Sequence, residues 1–119
     1  MIDFVGNETD TLLVRHANKR GKRVGSYTSA KNAMLVLPDA DMDLVADAAV
    51  AAGFGSAGER CMAQTLMIAG GDTAERLRPK ILERIQRLKV DDGMAPGTDM
   101  GPIYSKEHRE SVVNWIGVG

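Results

Sequence analysis

Apolar residues along this chain follow two alternating rhythms. Short stretches at residues 2–5, 24–28, 33–37 and 65–69 read as strands, the first a buried one, the third stopped by Pro38 and the fourth by Gly70-Gly71. Between them the spacing turns helical. Leu12, Leu13 and Ala17 sit in a helix-forming window at residues 8–19, followed by a solvated loop with a cap at Gly21. Met42, Val45, Ala46, Ala49 and Val50 recur at the 3.6-residue period behind Asp39 or Asp41 as the cap. Leu77, Ile81, Ile85 and Leu88 form an apolar stripe on a charged helix that Asp72 is expected to cap. Pro79 inside that window removes a backbone donor and predicts a kink or a late start. Residues 91–102 read as a loop, and Ser105 as the cap of a last helix reaching 117.

Strands alternating with helices imply an α/β fold with a parallel sheet. Such sheets need both faces covered and several strands side by side. Four short strands in 119 residues make a poor complete sheet, so the expectation is a piece of a larger α/β protein. Composition narrows the class further. Hydrophobic residues are 44% and charged residues 26%, as in a soluble globular chain, and a net charge of −1 gives no reason to expect nucleic acid or an anionic membrane as partner. No apolar run approaches a bilayer span, and the first residues carry no secretory pattern.

Candidate chemistry begins with the single cysteine, Cys61, in the stretch "FGSAGERCMA". One cysteine forms no internal disulfide and suits a reducing compartment. A thiol acts as a nucleophile through its thiolate, which positive charge and backbone N–H groups stabilise. Gly55, Ser56, Ala57 and Gly58 give a substrate room to approach, and Arg60 brings a charge next door. The same residue also fits a buried structural thiol, and the residues alone leave both readings open. Arg60 is either a bidentate grip for a carboxylate or an ion-pair partner of Glu59. His16 and His108 read as solvated helix residues and Trp115 as core or interface packing, and no spacing suggests a metal site.

"FGSAGERCM" resembles the cysteine signature of the aldehyde dehydrogenase superfamily. "DFVGN" at the first strand, "SAKNAMLVLPDADMD" from Ser29, and "DMGPIYSKEH" from Asp99 resemble three further family elements, in the family's order. Within the superfamily "AKNAMLVLPDAD" and "GSAGERCMA" are similar to the CoA-acylating methylmalonate-semialdehyde dehydrogenase branch. The resemblance spans the whole chain, which is about a quarter of a family member's length.

The resemblance implies a fragment of the aldehyde dehydrogenase fold. Residues 1–29 would be the end of a Rossmann-like NAD-binding domain, and 30–119 the start of the α/β catalytic cysteine domain. Cys61 would be the catalytic nucleophile, Arg60 a substrate-binding residue, and Gly6 and Asn7 cofactor-binding residues, with NAD as oxidant and CoA as acyl acceptor. Methylmalonate or malonate semialdehyde would give propionyl-CoA or acetyl-CoA through a thioester on Cys61. Asn7 and Thr11 stand where the family carries serine and a second glycine. Ser26 stands where hydrolytic relatives carry a glutamate base. Loss of that base suits an enzyme in which a thiol, rather than water, resolves the thioester. A homo-oligomer (dimer or tetramer) is implied at full length, in the bacterial cytoplasm or, in a eukaryote, the mitochondrion. Two other readings stay open: a truncated non-catalytic remnant, and a segment of a hydrolytic aldehyde dehydrogenase. The 119 residues by themselves are expected to be inactive, because the remainder of the cofactor site is not among them.

Overall fold

The computed structural model describes residues 1–5, 10–27 and 30–119, which fall into two compact units, 1–31 and 32–119. In the first unit β1 (Ile2–Val5) is followed by α1 (Asp10–Asn18) and by β2 (Val24–Tyr27), which pairs parallel to β1 with Ile2 opposite Val24. α1 ends as the sequence predicts. Gly21 takes φ +64°, its N–H donates to Asn18 O at 3.0 Å, and Lys22 N–H donates to Ala17 O at 3.1 Å. Those two crossed bonds satisfy carbonyls that the helix end leaves open. Ala17 is buried beneath them.

The second unit carries β3 (Asn32–Val36), α2 (Met42–Phe54), β4 (Gln64–Ala69), α3 (Thr73–Arg87) and α4 (Lys106–Val118). β3 and β4 pair in parallel. Asn32 stands opposite Gln64 but Ala33 stands opposite Leu66, so Thr65 is an extra residue that bulges β4. Period-two alternation sends Val36 into the core and Met34 and Met67 against it. The opposite face presents Leu35, Leu66 and Ile68 to solvent.

Two helices cover the inner face. Asp41 caps α2, its Oδ1 accepting from Asp43 N at 2.9 Å and Leu44 N at 3.2 Å. Met42 and Ala46, one turn apart, meet Val36 and Leu77 in a core cluster with Val45 and Ile81 packed around it. Leu77 is 1% exposed and Ala46 fully buried.

The start of α3 differs from expectation. Asp72 stands at the cap position without a side-chain hydrogen bond, its carboxylate 3.7 Å from Arg76 instead. The buried Thr73 next to it satisfies its own hydroxyl by donating to Gly70 O at 2.5 Å. Pro79 neither delays nor ends the helix, which runs continuously from Thr73 to Arg87. The packing of Leu77 and Ile81 on α2 outweighs one missing backbone bond. Ser105 caps α4 as predicted, accepting from His108 N at 3.1 Å. Trp115, expected in core or interface packing, is not in the core: it is 69% exposed among the described residues, beside exposed Val113 and Ile116. No described helix is long and apolar enough to cross a membrane.

Candidate active site

The cysteine segment is built where α2 stops. Gly55 N–H donates to Ala51 O, the last bond of the helix. The chain then turns left-handed: Ser56 has φ 51° and ψ 42°, Ala57 φ 54° and ψ 27°, and Gly58 φ 77°. Glu59 N–H closes the turn on Ser56 O at 3.0 Å. For residues with a Cβ this region costs about 1–2 kcal/mol each. Gly58 is needed twice over, since a Cβ there would also come within 3.2 Å of Gly53 O.

A second turn presents the thiol. Ala63 N–H donates to Arg60 O at 2.9 Å, which makes Cys61 the second residue of a four-residue turn. Cys61 is exposed and free. No hydrogen bond engages its backbone N–H among the described residues. The turn is tethered from the neighbouring strand by Asn32. Its Nδ2 donates to Cys61 O at 3.0 Å and to Ala63 O at 2.9 Å. Asn32 O in turn accepts from Gln64 Nε2 and Thr65 Oγ1, both at 3.0 Å. Sequence reading passed over Asn32, Gln64 and Thr65. The available signal was an asparagine, a poor strand former, heading an apolar strand.

Arg60 and Glu59 do not face each other. Arg60 Nε donates to Ser56 Oγ at 3.4 Å, and its guanidinium lies over Gly55, where a Cβ would meet Cζ at 2.9 Å. Glu59 Oε1 accepts from Tyr104 N at 3.4 Å and lies 3.5 Å from His108 Nε2, with the His108 ring tilted against Tyr104. The segment from Asp99 is thereby joined to the cysteine segment.

An open cleft of about 450 Å³ lies between α2, α3 and residues 99–100, lined by Asp47, Val50, Phe54, Arg60, Arg84 and Arg87 among others; Cys61 is not in its wall. On its helical side Asp43 accepts from Lys80 Nζ at 2.7 Å and Arg84 Nη2 at 3.1 Å, and Arg84 also pairs with Asp47. Hydrogen bonds from Lys80 and then Arg84 hold the Asp43 carboxyl below its ordinary value, and Asp47 first, then Asp43, raises Arg84.

The other residues singled out by sequence lie in the first unit. Gly6 and Asn7 are outside the described residues. In the chain order they fall between β1 and α1. Ser26 is on β2, opposite Phe4, and Thr11 is in the first turn of α1. His16 is on α1 and His108 on α4. No three His, Cys, Asp or Glu side chains converge among the described residues.

Comparison with known proteins agrees on one family. The aldehyde dehydrogenase family profile matches residues 1–119. The chain is 42% identical to a methylmalonate-semialdehyde dehydrogenase [acylating], mitochondrial, of Arabidopsis thaliana, over 99% of this chain and 19% of that protein. It is 37% identical to malonate-semialdehyde dehydrogenase 3 of Geobacillus kaustophilus, over 99% of this chain and 25% of that one. The crystal structure of a Staphylococcus aureus betaine aldehyde dehydrogenase in complex with NAD+ superposes with a TM-score of 0.90 at 26% identity, over 98% of this chain and 23% of that one. The chain thus spans about a quarter or less of the relatives it matches.

Proposed function

The chain belongs to the aldehyde dehydrogenase family, and on that premise we propose that the protein carrying it oxidises a carboxylate-bearing semialdehyde to an acyl-CoA through a thioester on Cys61. Methylmalonate and malonate semialdehydes are the substrates. The observation that carries this reading is an exposed thiol on a tethered turn, in a chain whose similar relatives are semialdehyde dehydrogenases.

Cys61 Sγ attacks the aldehyde carbon and gives a thiohemiacetal. The Cys61 backbone N–H, without a hydrogen-bond partner among the described residues, is the donor for the oxygen that gains charge. The aldehyde C–H leaves as hydride, and the carbon becomes a thioester. Gly6 and Asn7 would hold NAD, which would supply the hydride acceptor. The CoA thiol then attacks the thioester carbonyl and displaces the Cys61 thiolate. The substrate's carboxylate departs as carbon dioxide, the bond pair stays on the α-carbon as a thioester enolate, and a proton from water completes propionyl-CoA or acetyl-CoA. Arg60 grips the carboxylate while it is bound. A single 3.4 Å bond to Ser56 holds its exposed side chain in this structure, so it can swing to a substrate. Ser26, uncharged at neutral pH, is no general base for water, which suits resolution by a thiol.

Residues 1–29 are read as the end of the NAD-binding domain and 30–119 as the start of the catalytic domain, in a homo-oligomer of longer subunits. The exposed outer face of β3 and β4 supports this, because parallel strands are covered on both faces in complete α/β proteins.

The test is steady-state turnover of the protein carrying this chain, with semialdehyde and NAD, with and without CoA. NADH formation should depend on CoA, acyl-CoA should accumulate in equal amount, and Cys61→Ala should abolish both. Free carboxylate released at full rate without CoA would move the protein to the hydrolytic reading. No NADH under any condition would favour the non-catalytic remnant.

A further inference from the structure

We propose that Asn32 is a positioning residue that fixes the conformation of Cys61 by bonding the carbonyls on both sides of Met62. The proposal rests on the reading of Cys61 as the nucleophile, and deepens it. A residue's conformation is set by the two peptide groups that flank it. The peptide before Cys61 is anchored by Ala63 N–H on Arg60 O at 2.9 Å. The peptide after it is anchored by Asn32 Nδ2 on Cys61 O at 3.0 Å. The same nitrogen spends its second hydrogen on Ala63 O at 2.9 Å, which ties down the exit of the turn. Both peptides around the nucleophile are therefore held, and with them the direction of the Cys61 N–H and of the Cα–Cβ bond from which Sγ rotates.

The chemistry requires an amide. Two carbonyl oxygens converge on one atom, so that atom must carry two donor hydrogens. A carboxylate of the same shape would turn an acceptor toward both carbonyls and repel them. A hydroxyl has a single hydrogen and would serve one carbonyl. Asn32 itself is pinned from behind, because Gln64 Nε2 and Thr65 Oγ1 both donate to its own carbonyl at 3.0 Å. Thr65 is the bulged residue of β4, so the irregular register between Asn32 and Ala33 is what brings these donors to one oxygen. The left-handed turn at 56–58 leaves the cysteine segment without a helix or strand of its own to hold it. The Asn32 tether supplies that constraint from the adjacent strand. Displacing a reacting atom by about 1 Å lowers the rate by about 10²-fold.

The experiment compares Asn32→Asp and Asn32→Gln with the parent in the protein carrying this chain. Each is followed by kcat, by KM for NAD, and by the pH profile of Cys61 alkylation with iodoacetamide. We expect Asn32→Asp to lower kcat by about 10²-fold with KM for NAD within about twofold, and to shift the alkylation profile along the pH axis. Asn32→Gln keeps the donors on a longer arm and should recover part of both. Thr65→Val loosens the tether without touching the cysteine turn and should move the alkylation profile the same way, by less. An Asn32→Asp protein with parental kcat and parental alkylation profile overturns the proposal. So does a kcat loss shared equally by Asn32→Asp and Asn32→Gln with an unmoved alkylation profile, which would mark a general loss of structure. Alkylation needs neither aldehyde nor NAD. If the parent makes no NADH, the assigned reaction fails while the alkylation profiles still decide the role of Asn32.

Discussion

The two ends of helix α2 are built on opposite principles. At its N-terminal end every local preference agrees with the fold. Asp41 caps the first turn, Met42 and Ala46 face Val36 and Leu77, and Asp43 and Asp47 meet Lys80 and Arg84 across the groove to α3. At its C-terminal end the preferences conflict. Two residues with a Cβ adopt left-handed backbone, an arginine folds over a glycine, and the only cysteine stands exposed on a turn held by a side chain from another strand. The first end holds the buried cluster and the ion pairs to α3. The second is where strained backbone and an exposed thiol coexist, as functional sites often allow. The difference teaches that the scaffold end and the chemical end of one helix can be perturbed separately.

The largest break should come from the scaffold. Leu77→Ala removes a side chain that is 1% exposed from the centre of the cluster, and should cost about 2–5 kcal/mol in chemical denaturation. Next is the left-handed turn. Gly58→Ala should cost about 1–2 kcal/mol, because it adds a Cβ at positive φ close to Gly53 O. Ala57→Gly should instead gain up to about 1 kcal/mol, because it removes the Cβ that the turn disfavours. Were Ala57→Gly to destabilise, the turn would not be strained and the contrast between the two ends would fall.

The smallest effect concerns charge. Asp43 is exposed, so its pairs with Lys80 and Arg84 add little each. Its carboxyl is held below the ordinary value by Lys80 first and Arg84 second. A lowered value in the folded state means the contribution is complete above the ordinary aspartate range. It fades as the pH falls through that range to the lower folded value. Thermal melts of parent and Asp43→Asn from neutral pH downward should therefore differ slightly at neutral pH and converge in acid. A gap that widens in acid would have the wrong sign.

Much of the scaffold was legible in the sequence because burial and periodicity determine it. Met42, Ala46, Val50 and Leu77 fall at helical spacing and are buried where the pattern puts them. Asp41, Ser105 and Gly21 cap helices for local reasons that need no tertiary context. Pro79 misleads because tertiary packing of Leu77 and Ile81 overrides a local penalty. Asp72 misleads because the buried Thr73 beside it has a satisfied hydroxyl, while the carboxylate turns to Arg76. The chemical end was legible only as a motif. Cys61 and Arg60 stand out by type and neighbours, but no periodicity reveals that Arg60 would fold over Gly55 or that Glu59 would reach Tyr104. Asn32 is 29 residues from Cys61 along the chain, and only a parallel pairing with a bulge at Thr65 brings it to the turn.

The most direct test of the central claim, that Cys61 carries the acyl group, is peptide mass mapping of the protein carrying this chain after exposure to semialdehyde and NAD without CoA. A burst of NADH is expected, with an acyl adduct confined to the peptide containing Cys61 and loss of that adduct when CoA is added. NADH formed with no adduct on Cys61, or an adduct on another residue that CoA removes, would contradict it.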